Sequence, residues 1–423
     1  MYNLDNLMDE ISINQGNIVR ERGNLCYIYN TSKKAHLFIS KEVLEYVKQA
    51  AHIKLSLKDF INKFQCEDDK YYMIEAMHRL MQLGYLNIGK SKEENQNKNF
   101  DCVYITLTNR CNLNCIHCAL NSSPVEKDIL STEDIFIILK NISKLNPKTI
   151  IFTGGEPLLR KDLELILRQA VKLMPNTIFS LSTNATLISE DNIHLFKYFN
   201  KVDISIDGVN EETCAKVRGK GVFSKVINNI KYLQDNGICN ISLSMVSGEK
   251  RNYLVNDFEK LNESLKTSPI IRGFTATGRG KENYTYFNYD RHTLPISMTD
   301  MLKKEGNSRK ISSCSCTAFV STLYIDYKGI AYPCYELLDD SYAITDLSKN
   351  EITCEEFYSR LEYKKSKFNR VLSFKDTKCE NCDINIFCWF CPAVFENAKN
   401  NNEIDIWCKR IKNNLERIVW RQI

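Results

Sequence analysis

The spacing of apolar positions changes twice along the chain and divides it into three stretches. Within residues 1–90, short strand patterns at 17–20, 25–29 and 35–39 give way to helices that start at Ser40 and Ser56, both suited to N-capping. A third helical stretch carries Tyr72, Ile74, Met77, Leu80 and Met81 at mixed spacings of three and four. Strands followed by three helices predict a small winged-helix-like domain. The charged, glycine-poor run at 92–99 predicts a flexible linker over 91–100. From 101 to 309 strand and helix alternate, with strands predicted at 103–107, 149–153, 177–182, 202–207, 240–246 and 270–275. Helical patterns fall between them, as at 162–174, 223–234 and 253–265. Near-continuous apolar strands predict an α/β fold with a parallel sheet of six β/α units, either curled into a partial (β/α)6 TIM-like barrel or fully closed. In such sheets chemistry gathers at the C-terminal ends of the strands. From 310 to 423 the pattern breaks into short elements between cysteines, as expected of a segment that folds around metal.

Composition narrows the function classes. With 43% hydrophobic and 26% charged residues, the chain reads as an ordinary globular protein long enough for two or three cores. A net charge of +5 is slight at this length and does not argue for nucleic acid. No apolar run approaches a membrane span, and the N-terminus lacks a basic-then-apolar signal, so a cytoplasmic protein without membrane contact is expected. Seventeen cysteines are then conspicuous, because in a reducing compartment clustered cysteines read as metal ligands or redox centres. Cys26, Cys66, Cys102, Cys214, Cys239 and Cys354 are scattered and read as small hydrophobes. The other eleven fall into groups.

The first group is Cys111-Asn-Leu-Asn-Cys115-Ile-His-Cys118, directly after the first barrel strand. A structural zinc site closes with four protein ligands. Three thiolates on one loop instead suit a 4Fe-4S cluster with one iron open to a small molecule. One strand later comes Gly154-Gly155-Glu156-Pro157, where two glycines let backbone approach a ligand and Glu156 can accept from an ammonium group. Together the two motifs resemble the radical S-adenosylmethionine (SAM) superfamily. The resemblance implies an open iron that chelates SAM, a glycine-rich turn at its amino group, and reductive cleavage to a 5′-deoxyadenosyl radical that abstracts hydrogen from a substrate. It puts His117 in the family's aromatic slot near adenine. Ser182 and Asn184 at the end of the third strand, and Ser205 and Asp207 at the end of the fourth, would supply polar contacts to ribose and carboxylate. Arg218 resembles an arginine that follows strand four in the peptide-modifying branch, and Gly278-Arg279-Gly280 resembles a Gly-Arg turn of the same branch.

The C-terminal cysteines resemble a SPASM domain, which holds two auxiliary iron–sulfur clusters. Carried over by order, Cys379, Cys382, Cys388 and Cys408 would ligate one; Cys316, Cys334 and Cys391, with Cys314 as fourth ligand, would ligate the other. The spacing Cys388-x2-Cys391 is one residue shorter than usual, and Cys314-x-Cys316 is tight. Two Cys-x2-Cys pairs also make a zinc site, but only the iron–sulfur reading explains the first motif as well.

For the N-terminal domain, a DNA-binding role would need a basic recognition helix, and the third helix opens on Asp68-Asp69. The domain resembles instead the leader-recognition element of maturases of ribosomally made peptides. Such elements add a peptide as a strand to a sheet edge, here at 25–29 or 35–39. The expected protein is therefore a radical SAM/SPASM peptide maturase with one SAM-binding and two auxiliary 4Fe-4S clusters. Its partners would be a precursor peptide held by its leader and an electron donor of flavodoxin or ferredoxin type. Thioether formation is the first expectation and a carbon–carbon crosslink the second. A formylglycine-forming sulfatase maturase and a zinc-binding regulator are the alternatives. The sequence singles out no catalytic acid or base.

Overall fold

The computed structural model describes residues 9–30, 33, 35–88, 100–289, 316–372, 377–388, 395, 398–399 and 402–421. Cys314 and Cys391 lie outside them. The chain divides into two compact units: Met1–Asn97 with Lys304–Cys316 and Val371–Ile423, and Lys98–Lys303 with Thr317–Arg370.

The N-terminal part of the first unit holds β1 (Ile11–Ile13), β2 (Asn17–Arg22), β3 (Leu25–Asn30), β4 (Ala35–Ser40), α1 (Lys41–His52), α2 (Leu57–Ile61), α3 (Glu67–Leu83) and β5 (Leu86–Ile88). Strands β2, β3 and β4 form an antiparallel sheet in that order, and β1 pairs with β5. Ser40 and Ser56 cap α1 and α2, each accepting from the backbone N–H three residues on. The two faces of β3 have different partners. Cys26 and Ile28 enter the core beneath the helices with Leu44, Val47, Met77 and Leu80, whereas Tyr27 points the other way. Because β3 is central, both of its edges are used. The expectation that 25–29 could accept a peptide strand is therefore corrected, and β4 is the edge that remains of the two considered.

In the second unit the strands are β6 (Cys102–Thr106), β7 (Thr149–Thr153), β8 (Ile178–Thr183), β9 (Lys201–Ser205), β10 (Ile241–Ser247) and β11 (Ser268–Gly273). They pair in parallel in sequence order. Helices α4 (Thr132–Ser143), α5 (Leu163–Leu173), α6 (Glu211–Arg218), α7 (Val222–Asp235) and α8 (Val255–Leu265) run between them, and α9 (Tyr284–Phe287) follows β11. Ile150, Phe152, Leu181, Ile204 and Leu243 are fully buried and bring the helices onto the sheet. The alternate positions are small and polar, as with Ser180, Ser182, Ser205, Ser242 and Ser244, in place of the bulky residues that usually fill such a barrel.

One departure from the sequence pattern concerns the C-terminal third, which does not stay together. Strand β12 (Thr322–Ile325) pairs in parallel with β6, and β13 (Ile330–Tyr332) and β14 (Thr345–Asp346) extend the sheet antiparallel beyond it. The apolar run of β12 satisfies the open ladder of β6, and Tyr324 accepts a hydrogen bond from Thr106 at 2.8 Å. Helix α10 (Cys354–Leu372) follows. Residues 371–423, with α11 (Ile404–Val419), belong to the first unit. There Tyr27 packs edge-on against Phe387 and tilted against Trp420 at centroid distances of 5.0 and 5.6 Å, and Phe38 and His36 pack on Phe387 at 5.7 and 4.9 Å. The Tyr27 hydroxyl donates to the Asp383 carbonyl at 3.0 Å, and Arg20 donates to the Glu380 carbonyl at 3.3 Å. Among the described residues no helix is long and apolar enough to cross a membrane.

Candidate active site

Strand β6 runs into a loop that carries Cys111, Cys115 and Cys118, and the turn after β7 is laced to it. Gly155 N–H donates to the Thr108 carbonyl and Glu156 N–H to the Arg110 carbonyl, both at 2.8 Å. A Cβ at Gly154 would stand 2.5 Å from the Thr108 carbonyl oxygen, and one at Gly155 would stand 2.1 Å from that of Arg110. The glycines thus let two backbones meet as well as exposing one to a ligand. On the far side, Arg279 donates from its backbone N–H to the Cys118 carbonyl and from Nε to the Cys115 carbonyl at 2.8 Å.

These segments enclose a cavity of about 140 Å³ at the C-terminal ends of the strands. Cys111, Cys115, Cys118, His117, Gly154, Gly155, Ser182, Asn184, Ser205 and Arg218 all line it, so most of the residues singled out in the sequence are brought together. Arg279, Ser122 and Thr153 line it too. The three thiols ring the cavity; among the described residues no three His, Cys, Asp or Glu side chains converge as they would on one bare ion.

Glu156, Pro157 and Asp207 do not line the cavity. The expectation that Glu156 accepts from an ammonium group is corrected: its carboxylate is fully buried and already occupied. It accepts from the Thr183 hydroxyl at 2.8 Å, Asn184 N–H at 2.8 Å and Leu158 N–H at 3.1 Å, tying the β7 turn to the end of β8. Burial raises this carboxyl above its ordinary value against those bonds. Pro157 is buried at the start of a short 3-10 turn. Asp207 lies two residues past the end of β9, with φ of +54°, and its side chain turns away from the cavity. It accepts from His117 Nε2 at 2.6 Å, from Arg218 Nε at 2.8 Å and Nη2 at 2.6 Å, and from Val246 N–H at 2.5 Å. Burial alone would raise this carboxyl; Arg218 first and His117 second outweigh it and hold it well below the usual carboxylate range. Asp207 is therefore a hub that fixes two cavity residues, not a contact of its own.

The donor set suits a thiolate-ligated cluster with a nucleoside-bearing ligand. Burial pushes the Cys111 thiol up to about 11 and raises Cys115, so a bound cation is what would keep them as thiolates. Among the described residues His117 Nδ1 is buried with no partner, a lone site that a ligand would complete. Its ring stacks on Phe287 at 5.7 Å, and Phe287 stacks on Phe274 at 4.3 Å. Arg251, buried, lies over Tyr286 and donates to the Asp207 carbonyl at 2.6 Å. The sequence reading missed Phe274, Phe287 and Arg251. Only the contact partners distinguish them from ordinary core and surface residues.

In the first unit, Cys379, Cys382, Cys388 and Cys408 line one small pocket whose other walls include Ile384, Ile404, Ile411 and Lys412. These are the four cysteines grouped by their order in the sequence. Burial raises the Cys379 and Cys382 thiols. Of the second group, Cys316 falls in the first unit and Cys334 in the second.

A family model described as the radical SAM superfamily matches residues 105–261. A probable GTP 3′,8-cyclase of Saccharolobus solfataricus is 32% identical over 208 residues, 48% of this chain and 67% of that one. A second such protein, from Saccharolobus islandicus, aligns over only 54% of its own length at 31% identity. Among solved structures, Streptococcus suis SuiB bound to S-adenosylmethionine is similar over 89% of this chain and 94% of its own, at 15% identity and a TM-score of 0.52.

Proposed function

Because the chain belongs to the radical SAM superfamily, we propose that it modifies a ribosomally made precursor peptide, forming thioether crosslinks in the first instance. The observation that carries this reading is the second cysteine pocket. Removing a hydrogen atom and closing a crosslink is a net two-electron oxidation, so an electron must leave the substrate. Four thiols gathered at Cys379, Cys382, Cys388 and Cys408 suit an electron-accepting cluster. Cys316 and Cys334, with Cys314 and Cys391, are assigned to a second one.

When bound at Cys111, Cys115 and Cys118, a 4Fe-4S cluster and SAM supply the hydrogen-abstracting radical. The chain's own residues hold and shield that chemistry. Gly154 and Gly155 keep the turn close, His117 presents a ring face, and Ser182, Asn184, Ser205 and Arg218 supply polar groups around the cavity. The small hydroxyl side chains inside the barrel leave room for a polar chain to enter. Residues 1–90 are assigned to leader recognition, with β4 as the strand to which the leader adds. The fold likeness to SuiB spans 89% of the chain and so reaches into this part, whereas the cyclase alignment covers 48%. A flavodoxin or ferredoxin in the cytoplasm is the assigned reductant.

Identity to the cyclases favours a second reading, in which GTP is the substrate. The deciding experiment reconstitutes the chain anaerobically with iron and sulfide and supplies SAM and dithionite. It then offers either GTP or a short synthetic peptide that joins a leader segment to a core with several cysteines. The expected outcome is 5′-deoxyadenosine formation with loss of two hydrogens from the peptide per crosslink and no change to GTP. Turnover of GTP alone would replace this reading with the second.

A further inference from the structure

Two of the three thiols in the active-site cavity have a side-chain N–H aimed at sulfur, and in both cases the rest of the donor is immobilised. Arg218 commits Nε and Nη2 to Asp207 Oδ2, which leaves Nη1 at 3.8 Å from Cys115 Sγ. The guanidinium cannot swing away, because Asp207 is itself held by Val246 N–H and by the His117 ring, and only 9% of the Arg218 side chain is exposed. Asn184 is fixed by a separate closed ring of bonds. Its Oδ1 accepts from Thr186 N–H at 2.9 Å and from the Thr186 hydroxyl at 2.6 Å. Its Nδ2 donates to Asn112 Oδ1 at 2.9 Å, and Asn112 closes the ring on Thr186 at 2.8 Å. That leaves Asn184 Nδ2 at 3.8 Å from Cys111 Sγ, to which Leu113 N–H also donates at 3.4 Å. Among the described residues no side-chain N–H reaches Cys118.

We propose that Arg218 and Asn184 are positioning residues that set the reduction potential of the cluster by hydrogen bonding to the thiolates of Cys115 and Cys111. A donor to sulfur draws charge from the thiolate, and the reduced, more negative cluster gains more from it than the oxidised one. Both donors therefore make the cluster easier to reduce. Arg218 contributes more because it carries a full charge in a buried place, where it is little screened. The pattern also makes the three thiolates unequal. Cys118 is then the thiolate that would keep the most electron density. His117 is the far end of the Arg218 chain, so moving its ring moves Asp207 and, through Asp207, the N–H on Cys115.

The proposal rests on the radical SAM assignment but not on the identity of the substrate, and its test needs neither peptide nor turnover. The full chain, reconstituted anaerobically, is titrated potentiometrically and followed by electron paramagnetic resonance; the relevant signal is the one that Cys115→Ala removes. Arg218→Met, which keeps the volume and loses the N–H, is expected to shift the one-electron equilibrium about tenfold toward the oxidised cluster, about 59 mV. Arg218→Lys should fall between, and Asn184→Ala should shift the same way by less. If Arg218→Met does not fold because Asp207 is left unpaired, Arg218→Met with Asp207→Asn removes both charges, and Asn184→Ala probes an independent ring. An unshifted potential in a variant with full iron content overturns the proposal and leaves the radical SAM assignment standing. Absence of any signal that Cys115→Ala removes overturns both.

Discussion

The two groups of cysteines sit in very different surroundings. In the barrel, three thiols sit at strand ends among Arg218, Asn184, Ser182 and Ser205, and the cavity beside them has room for a further ligand. In the other unit, four thiols come from a turn and from α11, with Ile384, Ile404 and Ile411 as walls and little room to spare. The first offers three sulfurs among polar side chains; the second offers four among mostly apolar ones. A site that must bind and cleave a charged small molecule needs open coordination and oriented N–H groups. One that only passes electrons is better closed and dry. The supports differ as well. The barrel site is held by hydrogen bonds that converge from successive strands, the second by packed rings.

That contrast can be broken most forcefully at the sulfurs. Cys115→Ala is expected to abolish 5′-deoxyadenosine formation, whereas Cys382→Ala should spare it and block crosslinked product; chromatography of both species decides. Cleavage persisting in Cys115→Ala would remove the barrel site from the chemistry. Next comes Gly155→Ala, whose Cβ would lie 2.1 Å from the Arg110 carbonyl oxygen. A backbone shift of this order should cut SAM cleavage by roughly a hundredfold in a single-turnover assay. Asp207→Ala leaves the Arg218 guanidinium buried and unpaired, and denaturant unfolding should register a loss of about 3–5 kcal/mol. The smallest effect is expected from Tyr27→Phe, which removes one hydrogen bond to the Asp383 carbonyl. It should cost about 1 kcal/mol in the same measurement and leave SAM cleavage unchanged.

Local pattern made the barrel legible. Strand β7 spans the predicted 149–153, and the other five barrel strands lie within two residues of their predicted limits. Strand β9 stops at Ser205 and not at 207 because Asp207 takes a left-handed φ and leaves the ladder. The cysteines that spacing groups, Cys111 with Cys115 and Cys118, and Cys379 with Cys382, Cys388 and Cys408, each line one cavity. What spacing does not encode is direction. A glutamate after two glycines reads the same whether it faces a ligand or, as Glu156 does, the neighbouring strand end. Asp207 reads as a ligand contact because it follows a barrel strand, yet three side-chain donor atoms from His117 and Arg218 turn it inward. The parallel pairing of β12 with β6 joins residues more than two hundred positions apart, and no local periodicity announces it.

The packing of Tyr27, Phe38 and His36 on Phe387 bears on how portable the N-terminal domain is. Phe387 adjoins Cys388, and Tyr27 and Arg20 hold the carbonyls of Asp383 and Glu380 inside the turn that carries Cys379 and Cys382. Excising residues 1–90, or grafting them onto another enzyme, exposes the back of a cysteine turn as well as removing a sheet. The interchangeable part for an engineer is therefore discontinuous, Met1–Asn97 together with Lys304–Cys316 and Val371–Ile423. A chimaera cut at the linker alone would be expected to lose iron before it loses specificity.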